Sequence, residues 1–121
     1  CSHIPSFLMP AAEVAAKNWD AVAEFRGDYL RRRTLMMELI RDIPALKVSE
    51  PEGAFYVMVD VTDTGMDATT FARRAMDEAL VQVIPLDSLL GGEGYVRLSY
   101  AAEDSIIEEG LKRLGEWLNS Q

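Results

Sequence analysis

The run Gly53-Ala54-Phe55-Tyr56-Val57-Met58-Val59-Asp60-Val61 constrains the fold more than any other part of the chain. It is rich in aromatic and β-branched residues and is apolar at both odd and even positions. Such a run belongs to a strand in the middle of a sheet. Thr62-Asp63-Thr64-Gly65 closes it with a turn signal. A second strand follows from Gly94-Tyr95-Val96-Arg97-Leu98-Ser99-Tyr100-Ala101. With a side-chain period of two, Val96, Leu98 and Tyr100 point one way and Tyr95, Arg97 and Ser99 the other. Arg97 is thereby fixed by a sheet instead of hanging on a loop, and a planar guanidinium held in this way suits bidentate binding of a carboxylate. The same pattern also fits an arginine that merely solvates a sheet face or pairs with a nearby Glu.

Helical patterns surround these strands. Ala11, Ala12, Ala15 and Ala16 follow Pro10, which a first helical turn tolerates. Residues 19–42 form a longer helix capped by Asn18, with Trp19, Val22, Phe25, Tyr29, Met36, Leu39 and Ile40 at helical spacing and Gly27 as an interruption. It should end before Pro44. Residues 44–51 read as a turn and a short extended piece. Asp67 caps a helix over residues 67–79, with Phe71, Ala75, Met76 and Ala79 or Leu80 inward. Residues 81–84 read as a short strand ending at Pro85, and 86–94 as a mobile glycine loop. A last helix over 103–118 carries Ile106, Ile107, Leu111, Leu114 and Leu118 as its apolar stripe. The expected fold is α+β, a small and mainly antiparallel sheet covered by helices on one face.

A chain of 121 residues with 49% hydrophobic and 26% charged residues fits one globular domain with a modest core. A net charge of −8 argues against nucleic acid as a partner. Arg31-Arg32-Arg33 fans around a helix and reads as a solvated or ion-paired face. No apolar run has the length of a membrane span, no secretory signal is evident, and one cysteine suits a reducing cytoplasm. The start at Cys1, without Met, suggests a cloned piece, a cleavage product or an excerpt of something longer.

Other candidates for chemistry are weak. Gly91-Gly92-Glu93-Gly94 lacks the helix and lysine of a phosphate loop. Cys1 and His3 have no orienting third group. Asp60, Asp63, Asp67 and Asp87 fit turns and caps better than a metal site, so no metal ligand and no catalytic residue is assigned. Ser99 is placed to donate a hydrogen bond to a ligand beside Arg97.

In order and spacing, several segments resemble the C-terminal part of the fold-type I pyridoxal-phosphate aminotransferases, the class I/II family that includes the aspartate aminotransferases. Pro51-Glu52-Gly53-Ala54-Phe55-Tyr56-Val57 is similar to the strand opening that family's small domain. Asp67 to Val83 is similar to its next helix and strand, the Arg97 strand to its arginine strand, and Leu111-Lys112-Arg113-Leu114 to its final helix. The resemblance implies that residues 1–17 are the tail helix of a large domain, 18–43 the long interdomain helix, and 44–121 the small domain. It implies that Arg97 binds the α-carboxylate of an amino-acid or 2-oxo-acid substrate. It further implies pyridoxal phosphate in the full-length parent, a large domain and a second subunit of a homodimer as partners, and a place in cytoplasmic amino-acid metabolism.

Two departures bear on this. Leu86 stands where the family has glycine after Pro85, and Leu89-Leu90 where it has Phe-Gly, in a loop about a residue short. An altered substrate preference or a loss of activity are both compatible with them. Lys17, Lys47 and Lys112 lack the family's serine-lysine context, so neither the Schiff-base lysine nor a specific cofactor site is expected in these residues. The alternative is a stand-alone α+β binding or regulatory module for a small acidic ligand.

Overall fold

The computed structural model describes residues 4–121, so Cys1 and His3 lie outside the described residues. After a single 3-10 turn at Ser6–Leu8, helix α1 spans Met9–Lys17 with Pro10 in its first turn, and α2 spans Trp19–Arg41. The Asn18 side chain accepts from the Ala21 amide at 3.3 Å, supplying the cap that its residue type implied. Strands β1 (Lys47–Val48) and β2 (Tyr56–Asp60) follow, then α3 (Ala68–Arg74), which continues as a π-helical turn over Ala75–Ala79. Strands β3 (Ile84–Pro85) and β4 (Tyr95–Ser99) lead to the last helix, α4 (Asp104–Asn119).

The sheet has the order β1-β2-β4-β3 and is antiparallel throughout, so β2 and β4 are its centre. Val57, Val59, Val96 and Leu98 face the helices and are buried with Met36, Met37 and Ile40 of α2, Phe71 of α3, and Ile107, Leu111, Leu114 and Trp117 of α4. One face of the sheet therefore makes the core. The other face, bearing Tyr56, Met58, Ile84, Tyr95 and Arg97, is left partly or largely open. Tyr100 continues the inward side as its alternation requires, and its hydroxyl donates to the Ala54 carbonyl at 2.9 Å.

Three local expectations are corrected. Strand β3 is two residues long, because Leu80 adopts a left-handed conformation (φ 58°) to end the π turn and the chain rejoins the sheet only at Ile84. Met76 points outward, while Phe71 and Ala75 are buried and, of Ala79 and Leu80, it is Ala79 that turns inward. On α4, Trp117 joins the buried stripe and Ile106 leaves it, 62% exposed. The 86–94 segment is the loop expected, built of tight turns: Leu89, Gly92 and Tyr95 amides bond back to the carbonyls of Leu86, Leu89 and Gly92.

Candidate functional site

Arg97 sits at the middle of β4, directly across from Met58 on β2 and Ile84 on β3. Its backbone neighbours Val96 and Leu98 are buried on the core side, which fixes the direction in which the arginine leaves the sheet. The guanidinium carbon lies 4.2 Å from the centroid of the Tyr56 ring, close enough for a cation–π contact. Met58 and Ile84 are 47% and 39% exposed, so the arginine stands in a shallow apolar collar open to solvent.

Among the described residues Arg97 enters no ion pair. The basic run on α2 behaves differently. Arg31 meets Asp28 and Asp104, Arg32 lies 3.7 Å from Asp104, and Arg33 bonds the Pro51 carbonyl and Glu50. That run is an ion-paired helix face, as its placement suggested. Arg97 has no carboxylate partner among the described residues and rests on an aromatic ring instead.

The other candidate residues do not converge on it. The Ser99 hydroxyl accepts from the Ala101 amide at 3.2 Å and so closes the end of its own strand. Asp60 shares the open face, but its carboxylate is held by the Thr62 hydroxyl at 2.6 Å and the Thr62 amide at 2.9 Å, which keep its pKa below the ordinary range. Asp67 caps α3 through the Thr70 amide at 2.7 Å. Asp87 accepts from the Thr69 amide and hydroxyl and from the Gly94 amide, tying the 86–94 turns to α3. These carboxylates hold local structure.

The lysines likewise have structural surroundings. Lys17 pairs with Glu13 at 2.6 Å on α1, and Lys47 pairs with Asp63 at 2.7 Å. The bond to Asp63 raises the Lys47 pKa, the opposite of what a nucleophilic amine needs. Lys112 lies on the exposed side of α4. None of these three lysines has the surroundings of a Schiff-base amine. In the loop where the sequence departs from the resembling family, Leu86 is buried, while Leu89 and Leu90 project into solvent at the tip. A cavity of about 370 Å³ lies elsewhere, walled by Leu80, Val81, Leu98, Ile106 and Leu111, without Arg97.

Sequence reasoning missed Tyr56 as the support beneath Arg97. Alternation places Tyr56 and Met58 on one face, but the register is needed to show that Arg97 is opposite Met58 and so diagonal to Tyr56.

No protein-family model matches the chain. It is 35% identical to an aspartate aminotransferase of Pyrococcus horikoshii over 98% of its own length and 32% of the relative's. Among solved structures, an aromatic aminotransferase from the same organism superposes with a TM-score of 0.81 at 37% identity, over 84% of this chain and 27% of that one. The aspartate aminotransferase of Thermus thermophilus, solved with maleate, gives 0.74 at 34% identity, over 84% and 27%. The chain spans about a third of the length of the curated relatives it matches. In sequence, and in its antiparallel sheet with covering helices, the chain matches the C-terminal small domain of the aspartate aminotransferase-like enzymes.

Proposed function

We propose that this chain is the substrate-carboxylate-binding domain of a pyridoxal-phosphate-dependent amino-acid aminotransferase, with Arg97 as the carboxylate ligand. The observation that carries the reading is the state of Arg97: half-buried, centred on a rigid strand, free of a carboxylate partner among the described residues, and open to solvent on one side. An arginine held so offers two parallel donors to a carboxylate at a fixed angle, and so orients the rest of an amino acid or 2-oxo acid with little further loss of freedom. The maleate carried by the Thermus relative is a dicarboxylate, which supports the same ligand class.

In this reading residues 1–17 and 18–43 lead to a large domain, and that domain and a second subunit complete the enzyme in the cytoplasm. Pyridoxal phosphate, when bound there, supplies the electron sink for exchange of the amino group. This chain contributes binding and orientation and is not catalytic alone. No helix among the described residues is long and apolar enough to cross a membrane.

The test is a titration of the chain with maleate, followed by NMR at the Arg97 side-chain Nε–H. Weak, saturable binding that disappears in Arg97→Ala is the expected result. Unchanged binding in that variant would remove Arg97 from the role. Tight binding to the chain alone would favour a stand-alone acidic-ligand module. Borohydride reduction after addition of pyridoxal phosphate should trap no lysine stoichiometrically.

A further inference from the structure

We infer that Tyr56 is the positioning residue for Arg97, held in place by a file of rings that passes through α2. The inference rests on the reading of Arg97 as the carboxylate ligand. Tyr56 is on β2, one same-face position from Met58, and its ring lies 4.2 Å from the guanidinium carbon. The Phe55 ring centroid is 4.3 Å from that of Tyr56, and Tyr29 of α2 stands 6.1 Å from Phe55. Tyr29 in turn meets Tyr100 edge-on at 6.3 Å, and Tyr100 is buried and bonded to the Ala54 carbonyl. The file therefore runs from a core tyrosine, through the long helix, to the arginine.

An aromatic face attracts a cation through its quadrupole and favours a guanidinium lying against it. A carboxylate in the same place would also hold the arginine, but an incoming acid would have to displace it. The ring restrains the side chain and leaves every N–H that points away from it free to donate. Arginine otherwise loses considerable rotamer freedom when it closes on a ligand. Tyr56 meets part of that cost before the ligand arrives. Since Tyr29 belongs to α2, a change in the direction of that helix would reach Arg97 through the same rings.

The test replaces Tyr56 by phenylalanine and by pentafluorophenylalanine, rings of similar size with opposite quadrupoles, and adds Tyr56→Ile, which suits a strand but has no ring. Each chain is titrated with maleate, and the Arg97 Nε–H shift is recorded without ligand. Maleate binding should weaken about five-fold with the fluorinated ring and with isoleucine, and phenylalanine should recover most of it. The Arg97 Nε–H should show an upfield ring-current shift that isoleucine abolishes. Equal maleate affinity across the three rings and isoleucine, with binding still lost in Arg97→Ala, would overturn the positioning role and leave the carboxylate reading standing. Binding that survives Arg97→Ala would instead remove the reading on which the inference rests.

Discussion

At the scale of single residues, two glycines show how much the neighbourhood decides. A Cβ on Gly92 would lie 2.3 Å from the Leu86 carbonyl oxygen, a backbone atom that cannot step aside without opening the turn. A Cβ on Gly27, inside α2, would meet nothing within 4 Å. Gly92→Ala should therefore cost about 2 kcal/mol or more, and Gly27→Ala should stabilise by up to about 1 kcal/mol, both read by urea unfolding. The sequence showed that 91–94 is a turn region and that Gly27 interrupts a helix. It could not show which glycine is obligatory, because close approach depends on a chain segment folded back from residue 86. Arg97 was legible for a different reason: alternation alone assigns its face, whereas Tyr56 needed the pairing register.

Glu78 is a residue-scale case with a pH consequence. Its carboxylate takes two hydrogen bonds from Arg74, at 2.7 and 2.9 Å, and one from the Trp117 indole at 2.7 Å. The Arg74 bonds first, then the Trp117 bond, hold its pKa down to about 2, against 4.5 when unconstrained. A depressed folded-state value means the contribution is complete above pH 4.5 and disappears as pH falls toward about 2. Stability should drop on acidification through that window, and Glu78→Gln should flatten part of the drop. Thermal unfolding midpoints of the two chains between pH 5 and about 2 check this, and equal slopes would mean that the clasp adds nothing.

At the scale of elements, the stretch from α3 to β3 is where sequence and structure part. Asp67 and the Phe71 position identified the start of the helix correctly, and of the inward set expected at its end Ala75 and Ala79 are buried while Met76 is not. The π turn over Ala75–Ala79 rotates Met76 outward, and the five residues end on Leu80 at φ 58°. Nothing in the residue types announces a π turn; beside it Trp117 of α4 meets Phe71 edge-on at 5.4 Å, and its indole donates to Glu78 within the turn. Leu80 has a cost that can be measured. A branched side chain in the left-handed region is strained by about 1 kcal/mol, and Leu80 is 71% exposed, so little burial compensates. Leu80→Gly should raise unfolding stability by about 1 kcal/mol. A loss of stability would mean that the leucine contributes more as a wall of the neighbouring cavity than it costs in backbone strain.

At the scale of the whole molecule, α2 is longer than the body it packs on. Its 23 residues extend about 34 Å, whereas the five residues of β2 extend about 17 Å. Only its C-terminal part can be covered, and that is where Met36, Met37 and Ile40 are buried. Ahead of them Trp19, Val22 and Phe25 are exposed, continuing a series from Phe7, Leu8, Met9 and Val14. Apolar side chains gathered in this way on one arm mark a surface made for another protein body, and in the proposed parent that body is the large domain or the second subunit. Without it the arms should find each other. Sedimentation velocity should show concentration-dependent self-association of the chain. Two charges, Trp19→Asp with Phe25→Asp, should return it to a monomer without lowering the unfolding midpoint. Salt separates this cause from ion pairing. With a net charge of −8 the copies repel, so added salt should strengthen an apolar association, whereas association through Arg26 or Arg73 and acidic partners would weaken. A chain that stays monomeric at all concentrations and salts would mean that α1 and the first half of α2 fold back on the same molecule in solution, and would favour the self-contained module over the domain of a larger enzyme.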